Sequence, residues 1–117
     1  LPGQAYYKAQ KLRAMLRQEV LQALDSYDVL VMPTVGKTAQ NIESFSQGTL
    51  MRRPYLLTAT FNLANAPAIS IPCGFSEDGL PIGLQIGAKP GADETVLRVA
   101  HAYEQNTEWH NRKPPTI

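Results

Sequence analysis

The side chains in this chain that could do chemistry are few and scattered. Nucleophilic catalysis needs a hydroxyl or thiol beside a base, with donors aimed at the oxyanion that develops. The serines at 26, 44, 46, 70 and 76 have no second serine beside them and no flexible glycine pair. Lys37 and Lys89 are the lysines outside the helical faces and the tail, and neither has the neighbours a catalytic lysine requires. Cys73, the single cysteine, lies in an apolar run, and neither histidine bears a sequence relation to it. It reads as a small buried residue rather than a nucleophile. His101 and His110 have no cysteine or carboxylate at ligand spacing, so neither a metal nor a cofactor is expected. Glu77 and Asp78 are adjacent carboxylates among turn residues, where solvation is the ordinary role and acid/base work the exception. Gly79, Gly83, Gly87 and Gly91 recur every fourth residue, but no helix follows the first of them to receive a phosphate. Taken alone, the chain shows no complete set of reacting groups.

The elements that would position a site are organised around the stretch from Phe61 to Gln85, FNLANAPAISIPCGFSEDGLPIGLQ. Ala68 to Phe75 is apolar, preceded by Pro67 and interrupted by Pro72 and Gly74, the pattern of a short strand with a constrained exit. Gly79-Leu80-Pro81 and then Ile82 to Ile86 read as a turn and a returning strand, which makes a hairpin with Ser76 to Gly79 at its tip. Upstream, Ala5, Ala9, Leu12, Leu16, Val20 and Leu24 recur at steps of three or four. Lys8, Lys11, Arg13 and Arg17 take the other side, as the wet face of an amphipathic helix. Asp28 to Met32 is a short apolar run ended by Pro33, expected to be a strand buried on both faces. Thr34 to Gly48 has no sustained period and reads as a long loop, functional or mobile. Leu50 to Ala64 is expected to be a helix ending near Leu63, with Pro54 near its start, although Thr58, Thr60 and Phe61 would suit a strand. Lys89-Pro90-Gly91 end the returning strand. Asp93 and Glu94 then place negative charge in the first turn of a last helix, which runs to about Asn106. Trp109 to Ile117 form a tail. The order helix, strand, helix, strand, strand, helix is a layered α/β arrangement in a single domain.

Eleven basic and ten acidic residues leave a formal charge of +1, with the basic residues dispersed, so no electrostatic footprint for nucleic acid is present. Hydrophobic residues make up 44% and charged ones 18%, a balance that suits either ordinary scatter or a piece whose buried faces belong partly to a partner. No window approaches a membrane-spanning run and the amino terminus has no apolar signal core. With its one unpaired cysteine, the chain is expected to be cytoplasmic.

NLANAPAISIPCGF followed by GLPIGLQIGAKP resembles the carboxy-terminal part of the amidase signature family, whose members hydrolyse amide carbon–nitrogen bonds and include one component of the tRNA-dependent amidotransferases. YDVLVMPT at Tyr27 to Thr34 resembles the family's preceding strand, and ETVLRVAHAYEQNTEWHNRKPP at Glu94 to Pro115 its closing helix and tail. Three blocks in the family's order make the resemblance specific. One departure lies inside the strongest block: Asn65 stands where the family usually has glycine, a mild change because asparagine tolerates positive φ.

The resemblance implies a mixed sheet flanked by helices, part of a larger α/β/α fold. It also implies a serine nucleophile, a second serine on a cis peptide bond and a lysine, carried on a Gly/Ser-rich stretch that lies earlier in family members and has no counterpart here. The chain alone is therefore expected to be inactive and to supply strands and one pocket wall. Its implied partners are the missing amino-terminal portion or a second copy of the chain, with a small amide substrate in the complete enzyme and neither a membrane nor nucleic acid for this segment. The alternative is an oligomerising or interaction module that keeps the fold without the reaction. Carried over to matching positions, the family's substrate-facing helix points at Tyr55, Ala59 and Asn62. Tyr55 and Ala59 have core packing as their alternative, and Asn62 a helix C-cap. Family members that handle glutamine place an acidic residue near the start of the last helix. Ala92 aligns there directly and Asp93 one later, and helix capping would account for Asp93 equally.

Overall fold

The structure, a computed structural model, describes residues 2–39, 41 and 57–114. Its elements are α1 (Gly3–Ser26), β1 (Val29–Pro33), α2 (Ala59–Ala64), β2 (Ala68–Phe75), β3 (Pro81–Ala88) and α3 (Asp93–Gln105), followed by a 3-10 turn at Trp109–Asn111. The expected order is thus present. The earlier part of the helix anticipated over Leu50 to Ala64 lies mostly outside the described residues, as does most of the loop after Thr34.

β3 lies between the other two strands, and both pairings are antiparallel. The mixed sheet implied by the family is therefore reduced, among the described residues, to an antiparallel one. A parallel neighbour needs a crossover connection, and the β2–β3 link is instead a tight hairpin. At its tip the Ser76 N–H donates to the Leu80 carbonyl at 2.9 Å and the Gly79 N–H to the Ser76 carbonyl at 2.9 Å. Gly79 adopts φ 77°, a left-handed conformation that glycine takes at no steric cost. The ladder slips between Pro72 and Gly74, leaving Cys73 as an extra residue on β2.

Register assigns every strand residue to one of two faces. Ile86 stands opposite Val31 and Ile69, Leu84 opposite Pro33 and Ile71, and Ala88 opposite Val29. This branched, apolar face is covered by α3, where Ala100, Val99 and Tyr103 pack onto Ile71, Ile86, Ile69 and Leu84. The opposite face has Gly87 between Leu30 and Ala68, Gln85 between Met32 and Ser70, and Gly83 opposite Pro72. Its cover is α2, whose fully buried Phe61 lies directly over Gly87.

Two expectations about burial change. β1 is not buried on both faces: it is an edge strand, and although Val29 packs against the core cluster, Val31 is 53% exposed. The apolar stripe of α1 is buried only at its end, by Leu24, while Leu12 and Met15 are 57% and 58% exposed. α1 meets the rest of the described fold chiefly through α2. Arg13, read from sequence as part of the wet face, makes that contact. Its Nε donates to the Leu63 carbonyl at 3.1 Å and its Nη2 to Asn65 Oδ1 at 2.7 Å.

Candidate functional site

The polar groups gather on the face under α2, and glycine is what makes room for them. β3 presents Gly83 there, so side chains on the flanking segments meet above it: Thr34 Oγ1 and Ser70 Oγ lie 2.5 Å apart. A Cβ at Gly83 would stand 2.7 Å from the threonine hydroxyl and 2.9 Å from that of serine, inside both contact radii. Thr34 is held by its own backbone, whose N–H donates to the Gly83 carbonyl at 2.9 Å, just past the end of β1. One row further along, Gln85 is the one buried polar side chain among the described residues. Its Nε2 donates to the Leu57 carbonyl at 3.5 Å, which ties the sheet to the segment entering α2. The result is a row of hydroxyl and amide groups along the middle of the sheet, with α2 at one end and Pro72 at the other.

This row can donate and accept hydrogen bonds, but neither hydroxyl bonds to a histidine, a lysine or a carboxylate among the described residues. Activation of Ser70 or Thr34 as a nucleophile therefore has no base within the described part of the chain. Cys73 is partly buried and directs its thiol at the Ile82 carbonyl of the neighbouring strand at 3.5 Å, as a hairpin residue rather than a reacting one. No cluster of three or more metal-binding side chains occurs among the described residues.

Three of the four residues implied by the family resemblance, Ala59, Asn62 and Asp93, lie among the described residues. Tyr55 lies outside the described residues. Ala59 opens α2, half-buried, and Asn62 follows three residues later, exposed, so the two share one side of the helix. Asp93 begins α3, the helix that covers the face of the sheet opposite to α2. Beside Asp93 lie Pro67, Ala68, Ile69, Val96 and Leu97, an apolar setting without a second charged group.

Both capping alternatives are corrected. Asn62 is inside α2, and the C-cap is Asn65 at φ 53°, ψ 46°, whose N–H donates to the Asn62 carbonyl at 3.4 Å. The left-handed conformation falls where the family's glycine would stand, and the asparagine side chain acquires a use there as the acceptor for Arg13. At α3 the N-cap is Ala92, and Asp93 makes no capping hydrogen bond. Asp93 contributes through its charge at the positive end of the helix dipole instead. The Thr34–Ser70 pair was missed from sequence, because only register shows that two residues so distant along the chain flank the same glycine.

The fold is shared with solved enzymes that include a cyclic dimer hydrolase and an amidotransferase component. It superposes on 6-aminohexanoate cyclic dimer hydrolase with a TM-score of 0.78 at 28% identity, over 97% of this chain and 26% of that one. The A component of the glutamyl-tRNA(Gln) amidotransferase from Thermotoga maritima matches with a TM-score of 0.78 at 37% identity, over 87% of this chain and 22% of that one. In sequence, the corresponding protein from Synechococcus sp. (strain JA-2-3B'a(2-13)) is 48% identical over 112 residues, 95% of this chain and 22% of the relative. The Amidase family model matches residues 2–97. The chain belongs to the amidase family, and it spans about a quarter of the length of the relatives it matches. No helix among the described residues is long and apolar enough to cross a membrane.

Proposed function

We propose that this chain is the carboxy-terminal part of an amidase-family hydrolase acting on amide carbon–nitrogen bonds. In that role it contributes sheet strands and a wall of the substrate pocket, while the serine, serine and lysine of the reaction come from residues outside it. The observation that carries this reading is the match over residues 2–97 to a family whose members are about four times longer. The face under α2 supports it, since hydroxyl and amide groups line it and neither hydroxyl is bonded to a base among the described residues. Tyr55, Ala59, Asn62 and Asp93 are the residues assigned to the pocket wall, Asp93 from the start of α3. The substrate of the complete enzyme is a small amide, and the same architecture serves a simple amidase or the A component of an amidotransferase.

Co-expression of the 117-residue chain with the amino-terminal remainder of a related amidotransferase A component tests this. Ammonia release from glutamine or simple amides is expected from the combination and absent from either part alone. Release by the 117-residue chain alone would overturn it.

A second reading, an interaction module that has lost the reaction, is favoured by the exposed apolar residues of α1, among them Tyr6, Tyr7, Leu12 and Met15. Under that reading the surface pairs with a second copy of the chain, and light scattering reports a dimer that the amino-terminal remainder does not dissociate. A monomer that binds the remainder in equal proportion supports the first reading instead.

A further inference from the structure

The end of the hairpin and the segment after α3 enclose a cleft of about 420 Å³ that the pocket-wall reading does not use. It is lined by Pro72, Phe75 and Pro81 from the hairpin and by Trp109, Arg112 and Lys113 from the segment after α3. Trp109 leans on Phe75 with ring centroids 6.2 Å apart and planes tilted by 54°, a favourable aromatic contact between the two sides of the cleft. The Arg112 guanidinium lies 4.1 Å from the Phe75 centroid, so its position is set by the ring beneath it. A guanidinium stacked in this way keeps its in-plane N–H groups free to donate outward. Neither Arg112 nor Lys113 is paired with a carboxylate among the described residues, and no acidic side chain lines the cleft. Glu108, the nearest acidic residue along the chain, accepts a hydrogen bond from Asn111 instead.

We propose that this cleft is a binding site for a small aromatic carboxylate. The flat ring of such a ligand lies against Trp109 and the proline rings, and its carboxylate meets the outward N–H edge of Arg112, with Lys113 adding charge. Wall chemistry selects the aromatic part: prolines and an indole present flat, rigid faces that cost little entropy to bury against. Charge selects the anionic part, because two cations that pair with no carboxylate among the described residues border an apolar cavity of the size ligand clefts have. A charge-assisted, two-pronged contact with arginine is what would distinguish the anion from a neutral molecule of the same shape. The proposal is independent of where the amidase reaction takes place.

Trp109 is the only tryptophan in the chain, so its fluorescence reports on this cleft alone. Titrating the 117-residue chain with 2-naphthoate is expected to change Trp109 emission saturably. The neutral analogue 2-naphthalenemethanol should bind about tenfold more weakly, the weight of one charge-assisted contact. Arg112→Gln should remove that preference and weaken naphthoate by a similar factor, while leaving the neutral analogue and the thermal midpoint unchanged. Lys113→Gln, at an exposed position outside regular structure, is a second variant and should weaken naphthoate by a smaller factor. Equal affinity for acid and alcohol, or no saturable change with either, would overturn the proposal.

Discussion

The two faces of the same three strands teach different things about this protein. Under α3 the face is built of Ile69, Ile71, Leu84, Ile86 and Val29, and most of its cover comes from the same chain, with Val31 at the β1 edge left exposed. Under α2 the face is built of Gly83, Gln85, Gly87, Ser70 and Ala68, and α2 closes only one end of it. One face is filled by large side chains that interlock; the other is kept shallow by glycines so that polar groups and a single ring fit above it. The first arrangement makes a core and the second a wall. The difference can be put as a rule: the core face resists losing atoms, and the wall resists gaining them.

The largest expected effect breaks the core face. Ile86→Ala removes a fully buried side chain between Val31 and Ile69 and leaves a cavity under α3, a loss of about 3 kcal/mol. Urea denaturation of the chain measures it. On the wall, the corresponding experiment adds an atom. Gly87→Ala drives a methyl group into the ring of Phe61, which is buried and has no room to retreat, and overpacking of this kind costs about 2 kcal/mol. A smaller effect sharpens the comparison, because it is reversible by design. Gly83→Ala crowds the Thr34 and Ser70 hydroxyls and should cost about 1–2 kcal/mol. Adding Ser70→Ala should then recover part of that loss, although Ser70→Ala alone is mildly destabilising through its lost hydrogen bond. Independent, additive losses would mean that the two hydroxyls do not occupy the space over Gly83.

The smallest effect lies at the junction of α1 and α2. Arg13→Met keeps the stem of the side chain and removes both hydrogen bonds to the end of α2, for about 1 kcal/mol. In an Asn65→Gly background one of those bonds has already gone, so the same substitution should cost measurably less. An unchanged cost would show that Arg13 acts through Leu63 alone.

The core face was the more legible of the two in sequence, for a physical reason. Alternating apolar residues bounded by Pro67 and Gly79 carry the strand period in the order of residues itself, and the hairpin tip at Ser76 to Gly79 follows from turn chemistry that is local. Asp93 and Glu94 likewise announce the start of α3 by a local charge preference. The positive φ at Asn65 was readable because the resemblance marks a glycine there. The wall was not readable, since its features arise between residues far apart in the chain. Nothing in the sequence near Thr34 names Ser70 as its partner, and nothing near Arg13 says that it will leave the solvent face of α1 to cap α2. The exposure of β1 and of α1's apolar stripe was hidden for the complementary reason: an apolar period shows that a surface is suited to burial, not that the residues covering it are in the same stretch of chain.

The central claim is that the wall faces residues this chain does not contain. A cysteine placed at Ser70, in a Cys73→Ala background, reports on it directly through its rate of alkylation by iodoacetamide. Ser70 is exposed in the structure, so the chain alone should be labelled rapidly, and adding the amino-terminal remainder of a related amidotransferase A component should slow labelling at least about tenfold. A control cysteine at Glu77, on the hairpin tip, should show no such change. Equal labelling of Ser70→Cys with and without a bound remainder would contradict the claim.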